Sequence, residues 1–86
     1  MQFENNQVVK LRNGKMGVVA SFNGRPFQLV FSAFSMPIRR FDENFNNSNH
    51  DYDVVEVYDG SSIDNVVNVF KASFTTNGLN LVWERN

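Results

Sequence analysis

Cysteine is missing from the 86 residues of this chain. Its absence excludes disulfide bonds, thiolate chemistry and every zinc site that uses sulfur ligands. Long apolar runs are missing too, since none approaches the roughly 18 residues that a membrane-spanning helix needs. Residues 1–10 carry polar and charged side chains where a signal peptide needs an apolar run. We therefore expect a protein of the reducing cytoplasm that has no membrane partner.

A strong charge of either sign is also lacking. Eight Lys and Arg residues offset nine Asp and Glu residues, which leaves a net charge of -1. A chain that binds duplex DNA or an anionic membrane through its overall field would be strongly basic. A mimic of nucleic acid would be strongly acidic. Any anion site is therefore expected to be local and built from a few side chains.

Length and composition predict a single domain spanning residues 1–86. The chain is 42% hydrophobic and 20% charged, as folded domains are and disordered chains are not. So short a chain encloses only one hydrophobic core. Nine phenylalanines raise the alternative that some of them form a self-interface, as in a homo-oligomer, or a partner surface, because aromatic residues are enriched at interface centres.

Asn-Gly pairs are the clearest local signals. Asn13-Gly14 and Asn23-Gly24 each separate short runs rich in Val, Leu and Phe, and Asn77-Gly78 precedes the last such run. In a two-residue hairpin both central residues take positive φ, which Asn tolerates and Gly adopts without a Cβ penalty. Together with apolar alternation, these turns predict five strands. The predicted strands are residues 7–12, 15–22, 27–32, 53–59 and 79–84.

The stretches between these strands are less regular. Pro37 cannot donate to a sheet, so residues 32–40 are expected to form an irregular elbow. Asp42 can cap a helical turn, and residues 46–49 read as an exposed polar loop. Residues 61–74 fit either a strand or a helix, and cap residues such as Ser62 favour a short helix after that position. The chain is therefore expected to be mainly β (α+β), as a small antiparallel SH3-like barrel or a curled sheet with one short helix.

Residues that carry catalytic or metal chemistry are scarce. The single histidine, His50, has Asp51 and Asp53 nearby, a set too small to indicate a metal site. Acidic residues that open a strand beside a polar loop are usually solvated. No hydroxyl or carboxylate partner for His50 can be placed from sequence. We therefore expect no catalytic residue, no metal and no cofactor, and binding in place of catalysis.

The elbow holds the best candidate binding residues. Arg39 and Arg40 stand between apolar residues and follow Phe34, and Phe41 comes next. Two guanidiniums can fork onto a phosphate or carboxylate while the aromatic rings stack on a base. In the alternative, Ile38 and Phe41 pack in the core and the arginines pair with Asp42, Glu43 or Asp53.

A second group of cations lies near the chain turns. Arg12 and Arg25 flank the first two hairpins, and Arg85 follows the last strand, so the three would form a basic rim if these ends meet. Trp83 alternates with Leu79 and Leu81, which predicts that all three pack on one face.

Three short patterns in order resemble a known group of proteins. They are Lys10-Leu11-Arg12-Asn13-Gly14, Asp53-Val54-Val55-Glu56-Val57-Tyr58 and Leu81-Val82-Trp83-Glu84-Arg85. In these patterns the chain resembles small uncharacterised proteins of phages and prophages of low-GC Gram-positive bacteria. The resemblance implies an accessory protein of the infected cell's cytoplasm, without catalytic residues.

Phage accessory proteins of this kind bind host enzymes, nucleic acid or nucleotide immune signals, so three functions compete. The first is a counter-defence protein that sequesters a nucleotide-derived signalling molecule, a small anionic ligand. The second is an inhibitor that binds a host defence protein or nuclease directly. The third is a small nucleic-acid-binding barrel, which the lack of a basic balance disfavours. We rank sequestration first, since it requires arginines, aromatics and amide side chains but no catalysis.

Overall fold

Six antiparallel strands form one sheet in the computed structural model, which describes residues 3–21, 27–60, 65–71 and 74–85. The strands are β1 (Val8–Leu11), β2 (Met16–Ala20), β3 (Gln28–Val30), β4 (Ser35–Pro37), β5 (Val54–Asp59) and β6 (Asn80–Glu84). Their order in the sheet is β4-β3-β2-β1-β5-β6. A short helix, α1 (Asn65–Asn68), and two 3₁₀ turns, Ile38–Arg40 and His50–Tyr52, complete the described structure. The mainly β antiparallel fold expected from the sequence is confirmed, and the five predicted strands lie within three residues of the observed ones.

The turn at Asn13-Gly14 is confirmed, although its type differs from the expected one. Leu11 accepts a hydrogen bond from the Gly14 N–H at 2.9 Å and donates to Lys15 O at 2.9 Å. The loop therefore has three residues, a class in which one αL residue follows a type I turn. Only Gly14 takes positive φ, at 89°. Gly78 likewise has φ of 84° in the predicted last turn, whereas Asn23-Gly24 lies outside the described residues.

We expect Gly14→Val to lower the free energy of unfolding by about 1–3 kcal/mol, because a β-branched residue is strained at positive φ. No atom lies within 4 Å of the position a Cβ would take, so strain and not crowding would cause the loss. Gly14→Asn is the control, since Asn tolerates the left-handed region. Urea denaturation measures both variants, and equal stability of Gly14→Val and the parent would contradict the turn.

The elbow expected at residues 32–40 is wrong in its middle part. Ser35–Pro37 forms β4, which pairs with β3 through Leu29 and Met36 among others. Proline is tolerated there because β4 is at the edge of the sheet, where one side of the strand has no ladder to donate to. The irregular parts are residues 32–34, which connect β3 to β4, and the 3₁₀ turn that follows β4, closed by the Phe41 N–H and Ile38 O at 3.0 Å.

Both faces of the sheet are covered by apolar side chains. Val9 and its neighbours face one cluster, which contains the buried rings of Phe31, Phe41 and Phe45. Val8 faces the second cluster, which α1 helps to cover because Val69 packs into it. Both valines are 0% exposed. Val8 and Val9 therefore face two different buried clusters, which explains why β1 has two adjacent apolar residues where a strand buried on one face would alternate apolar and polar ones.

The helix expected after Ser62 is present as α1, though it is only four residues long. Ser62, the cap residue expected for it, lies outside the described residues. Among the residues that the structure does describe, no helix combines the length and apolarity needed to cross a bilayer.

The closing strand β6 does not place its apolar residues on one face. Trp83 pairs with Val57 and packs against the first cluster. Leu79 packs against the second cluster. The register of β5 and β6 shifts between Val57 and Tyr58, and an extra residue at such a shift turns the side chains to the other face. The expectation that Trp83 shares a face with Leu79 is therefore wrong.

Candidate functional site

Phe45 is the most deeply buried side chain of the segment between the first 3₁₀ turn and β5, residues 41–53, and helps to hold that segment on the sheet. Phe45 is 2% exposed, with its ring centroid 4.5 Å from Phe3 and 4.8 Å from Trp83. Its φ of 63° is uncommon for a bulky residue. The Phe45 carbonyl also accepts from the Val54 N–H at 3.0 Å. This contact fixes the segment to the start of β5.

Asp42 organises the beginning of the segment. Its Oδ1 accepts from the backbone N–H groups of Asn44 at 2.8 Å and Asn46 at 3.0 Å. Both bonds lower the pKa of Asp42, and the bond from Asn46 has the larger effect. The capping role expected of Asp42 is thus present, but it closes a turn and not a helical segment.

Asp53 organises the end of the segment from a buried position. Only 3% of it is exposed, and it accepts from the Asn47 N–H at 2.8 Å, from an Arg12 Nη at 3.2 Å and from His50 Nδ1 at 3.2 Å. Burial on its own raises the pKa of Asp53, but the bonds from Asn47, His50 and Arg12 outweigh it, and the pKa is lowered. The carboxylate is therefore charged at neutral pH.

Two sequence expectations about this segment need correction. Asp53 is not a solvated strand residue, whereas Asp51 is exposed, in the second 3₁₀ turn. The loop at residues 46–49 is exposed only in part, because Asn47 is 7% exposed and its Oδ1 accepts from the Asn49 N–H at 3.0 Å.

Arg39 and Arg40 lie at the surface just before this segment. Both are exposed, and neither forms an ion pair or side-chain hydrogen bond within the part of the chain that the structure describes. The alternative in which they pair with Asp42, Glu43 or Asp53 is therefore wrong. The core packing that this alternative gave to Phe41 is confirmed, since Phe41 is 9% exposed and packs in the first cluster.

These two arginines line an open polar pocket of about 480 Å³, which we call the loop site. Its other lining residues are Phe41, Asp42, Asn46, Asn47, Ser48 and His50. The His50 side chain is 83% exposed. The loop site is thus an open depression at whose rim guanidinium, amide, hydroxyl and imidazole groups lie beside the Asp42 carboxylate and the Phe41 side chain.

Phe34 is not part of the loop site. Its ring stacks on Phe31 with the centroids 4.7 Å apart, and Lys15 Nζ lies 5.7 Å from its centroid. The predicted grouping of Phe34 with the two arginines is therefore not found, because β4 carries Phe34 to the other end of the elbow.

Arg12 and Arg85 lie on the two sides of the start of β5. Arg12 Nε donates to His50 O at 3.2 Å, and Arg85 donates to the carbonyls of Val54, Asn44 and Phe45 at 3.0–3.3 Å. Arg85 also lies 5.5 Å from the centroid of Trp83. Both guanidiniums thus hold the 41–53 segment to the sheet. Arg25, the third residue of the expected rim, lies outside the described residues.

An apolar cavity of about 350 Å³ adjoins the loop site, and we call it the apolar chamber. It is lined by Phe3, Phe27, Ile38, Phe41, Asp42, Glu43 and Phe45. Phe41 and Asp42 belong to both cavities. The sequence gives no signal of this chamber, because Phe3, Phe27 and Phe45 come together only through the fold.

The described residues contain no group of three or more His, Cys, Asp or Glu side chains arranged to hold a metal ion. Ser48 Oγ contacts Asn47 Oδ1 at 3.5 Å, and among the described residues it has no hydrogen bond to His50. No protein-family model, curated protein or solved structure matches this chain, so its function has to be inferred from these cavities.

Proposed function

We propose that this chain is a non-enzymatic binding protein that sequesters a small anionic ligand of the nucleotide type at the loop site. The observation that carries the proposal is that Arg39 and Arg40 are exposed, have no ion pair or side-chain hydrogen bond among the described residues, and line the loop site. Guanidiniums recognise phosphate through paired, charge-assisted hydrogen bonds.

The remaining polar groups of the cavity favour the same kind of ligand. Asn46, Ser48 and His50 supply neutral or ionisable donors beside the two fixed charges. Asp42 is the one carboxylate that lines the loop site, and it accepts from the backbone N–H groups of Asn44 and Asn46. Asp53 is buried against Arg12 and His50. The two guanidinium charges therefore outnumber the carboxylate charge of the lining, which favours an anion there although the chain carries a net charge of -1.

We infer binding without turnover, and two features of the described residues support the inference. His50 is oriented by Asp53, as a general base would be. However, none of the described hydroxyl groups is hydrogen-bonded to the His50 ring, and the described residues contain no metal-binding cluster beside it. His50 therefore has no side-chain nucleophile to activate among the described residues.

The resemblance to phage proteins supports a biological role for such binding. A small protein made in the infected cell's cytoplasm would bind a nucleotide-derived immune signal and lower its free concentration. This role is counter-defence by sequestration, and it requires affinity and abundance but no catalysis.

We expect Arg39→Ala and Arg40→Ala each to weaken nucleotide binding by roughly 10- to 150-fold, which corresponds to the 1.5–3 kcal/mol of a charge-assisted hydrogen bond. Isothermal titration calorimetry with a panel of linear and cyclic nucleotides measures the dissociation constants. Lys71→Ala is the matched control, because it removes one exposed positive charge from another part of the chain.

Both arginine variants should unfold like the parent, because neither side chain has an intramolecular partner among the described residues. Each nucleotide should be recovered chemically intact after incubation and denaturation. Unchanged affinity in both variants would overturn the assignment of the loop site, and a new product that disappears in His50→Ala would overturn binding without turnover.

A second candidate function has one observation in its favour. Val67 and Phe70, in and after α1, are 57% and 58% exposed, and Leu81 and Val82 of the edge strand β6 are 45% and 49% exposed. Exposed apolar side chains and an open strand edge are typical of protein-binding surfaces. Direct contact with a host defence protein, or with a second copy of the chain, would use this region and not Arg39 and Arg40.

A further inference from the structure

We propose that the loop site and the apolar chamber together hold one purine nucleotide, with its phosphate on Arg39 and Arg40 and a guanine base in the chamber facing Glu43. The inference rests on the proposed function and adds to it the identity of the base and the residue that reads it.

The loop site and the apolar chamber share two lining residues, and together they would suit a ligand with one anionic and one flat apolar end. Phe41 and Asp42 line both of them. Ile38 lines the chamber and Arg39, the next residue in the same 3₁₀ turn, lines the loop site. A ligand that reached from one to the other past Phe41 and Asp42 would therefore pass from cationic to apolar surroundings within one residue of chain.

The chamber has the walls that a purine ring needs. Phe3, Phe27 and Ile38 are only half-buried, so part of each side chain faces the cavity. Phe41 and Phe45 are buried beneath them. Aromatic rings give bases stacking surfaces that are worth about 1–3 kcal/mol per base. Stacking on these walls requires no base-specific hydrogen bond, so the chamber would accept any purine.

Glu43 supplies the specificity. Its carboxylate is exposed and lines the chamber, and it has no ion pair or hydrogen bond among the described residues. Asp42, the other acid there, already accepts from Asn44 and Asn46. A free carboxylate accepts a fork of two N–H groups. Guanine presents such a fork, N1–H beside the N2 amine, whereas adenine presents an acceptor, N1, beside its amine.

Calorimetric titration with GMP, AMP and IMP tests the inference on the intact chain. GMP should bind at least about tenfold more tightly than AMP, and IMP, which keeps N1–H but lacks the N2 amine, should fall between them. In Glu43→Gln the preference for GMP over AMP should shrink to less than about threefold. Glu84→Gln, an exposed acid at the end of β6, should keep the full preference.

The results separate this inference from the proposed function. If GMP and AMP bind equally and Arg39→Ala weakens both, the base assignment is wrong while the anion site stands. If Glu43→Gln keeps the full preference for GMP, Glu43 does not read the base. If none of the three nucleotides binds, both the inference and the proposed nucleotide site are overturned.

Discussion

Replacing Phe45 by Ala should lower the free energy of unfolding by about 3–5 kcal/mol, the usual cost of deleting a buried phenylalanine ring. The ring is 2% exposed and contacts Phe3 and Trp83, so the variant loses apolar burial on two sides. The backbone of residue 45 would still need its φ of 63°, now without the ring contacts that offset the strain. A small domain has about 5–15 kcal/mol of stability in total, so much of it would be lost.

Urea denaturation followed by tryptophan fluorescence measures this change, because Trp83 lies 4.8 Å from the Phe45 centroid. Phe34→Ala is the matched control. Its ring is 36% exposed, and its removal should cost less than half as much. A loss below about 1 kcal/mol in Phe45→Ala would contradict the burial that anchors the 41–53 segment.

Asp53→Ala should cost about 2–4 kcal/mol, because it leaves a buried backbone N–H of Asn47 without an acceptor and removes the partner of Arg12 and His50. The Arg12 side chain is 49% exposed, so the ion pair itself contributes less than the buried hydrogen bond. Asp51→Ala is the control and should change stability by less than about 0.5 kcal/mol, as exposed positions do.

The pH dependence of stability gives Asp53 a second readout. Its pKa in the folded chain lies below the ordinary value of 3.8, so the unfolded chain binds the proton more readily. The stabilisation that ionised Asp53 gives the folded chain is therefore present above about pH 4, and it is lost as the pH falls through the lower pKa of Asp53 in the folded chain. Asp53→Asn should flatten this acid dependence without abolishing it, since the pKa of Asp42 is lowered as well. An unchanged acid dependence would contradict the role of Asp53.

Strands and turns could be predicted because their signals are local. Asn13-Gly14 marks a turn in any context, and the adjacent valines of β1 indicate a strand covered on both sides. The β4 strand could not be predicted, since proline is excluded from a central strand but allowed at an edge. Which strand lies at the edge is decided by the whole sheet.

The candidate site could be predicted only in part, for a related reason. Adjacent charges identified Arg39 and Arg40, and the fold leaves both without an intramolecular partner among the described residues. The sequence does not indicate that Asp53 is buried, because one of its partners, Arg12, is 41 residues away in the chain. The apolar chamber depends on Phe3, Phe27 and Phe45, which only the folded segment brings together.

An ¹⁵N-resolved NMR titration of the chain with GMP, and separately with AMP, tests the central claim most directly. If an anionic nucleotide occupies the loop site, the backbone amide signals of residues 38–50 shift in proportion to occupancy, and those of β2 and β6 remain in place. The same titration of Arg39→Ala should need a higher nucleotide concentration for the same shifts. Signals of residues 38–50 that do not move with either nucleotide, or shifts confined to α1 and β6, would contradict the account.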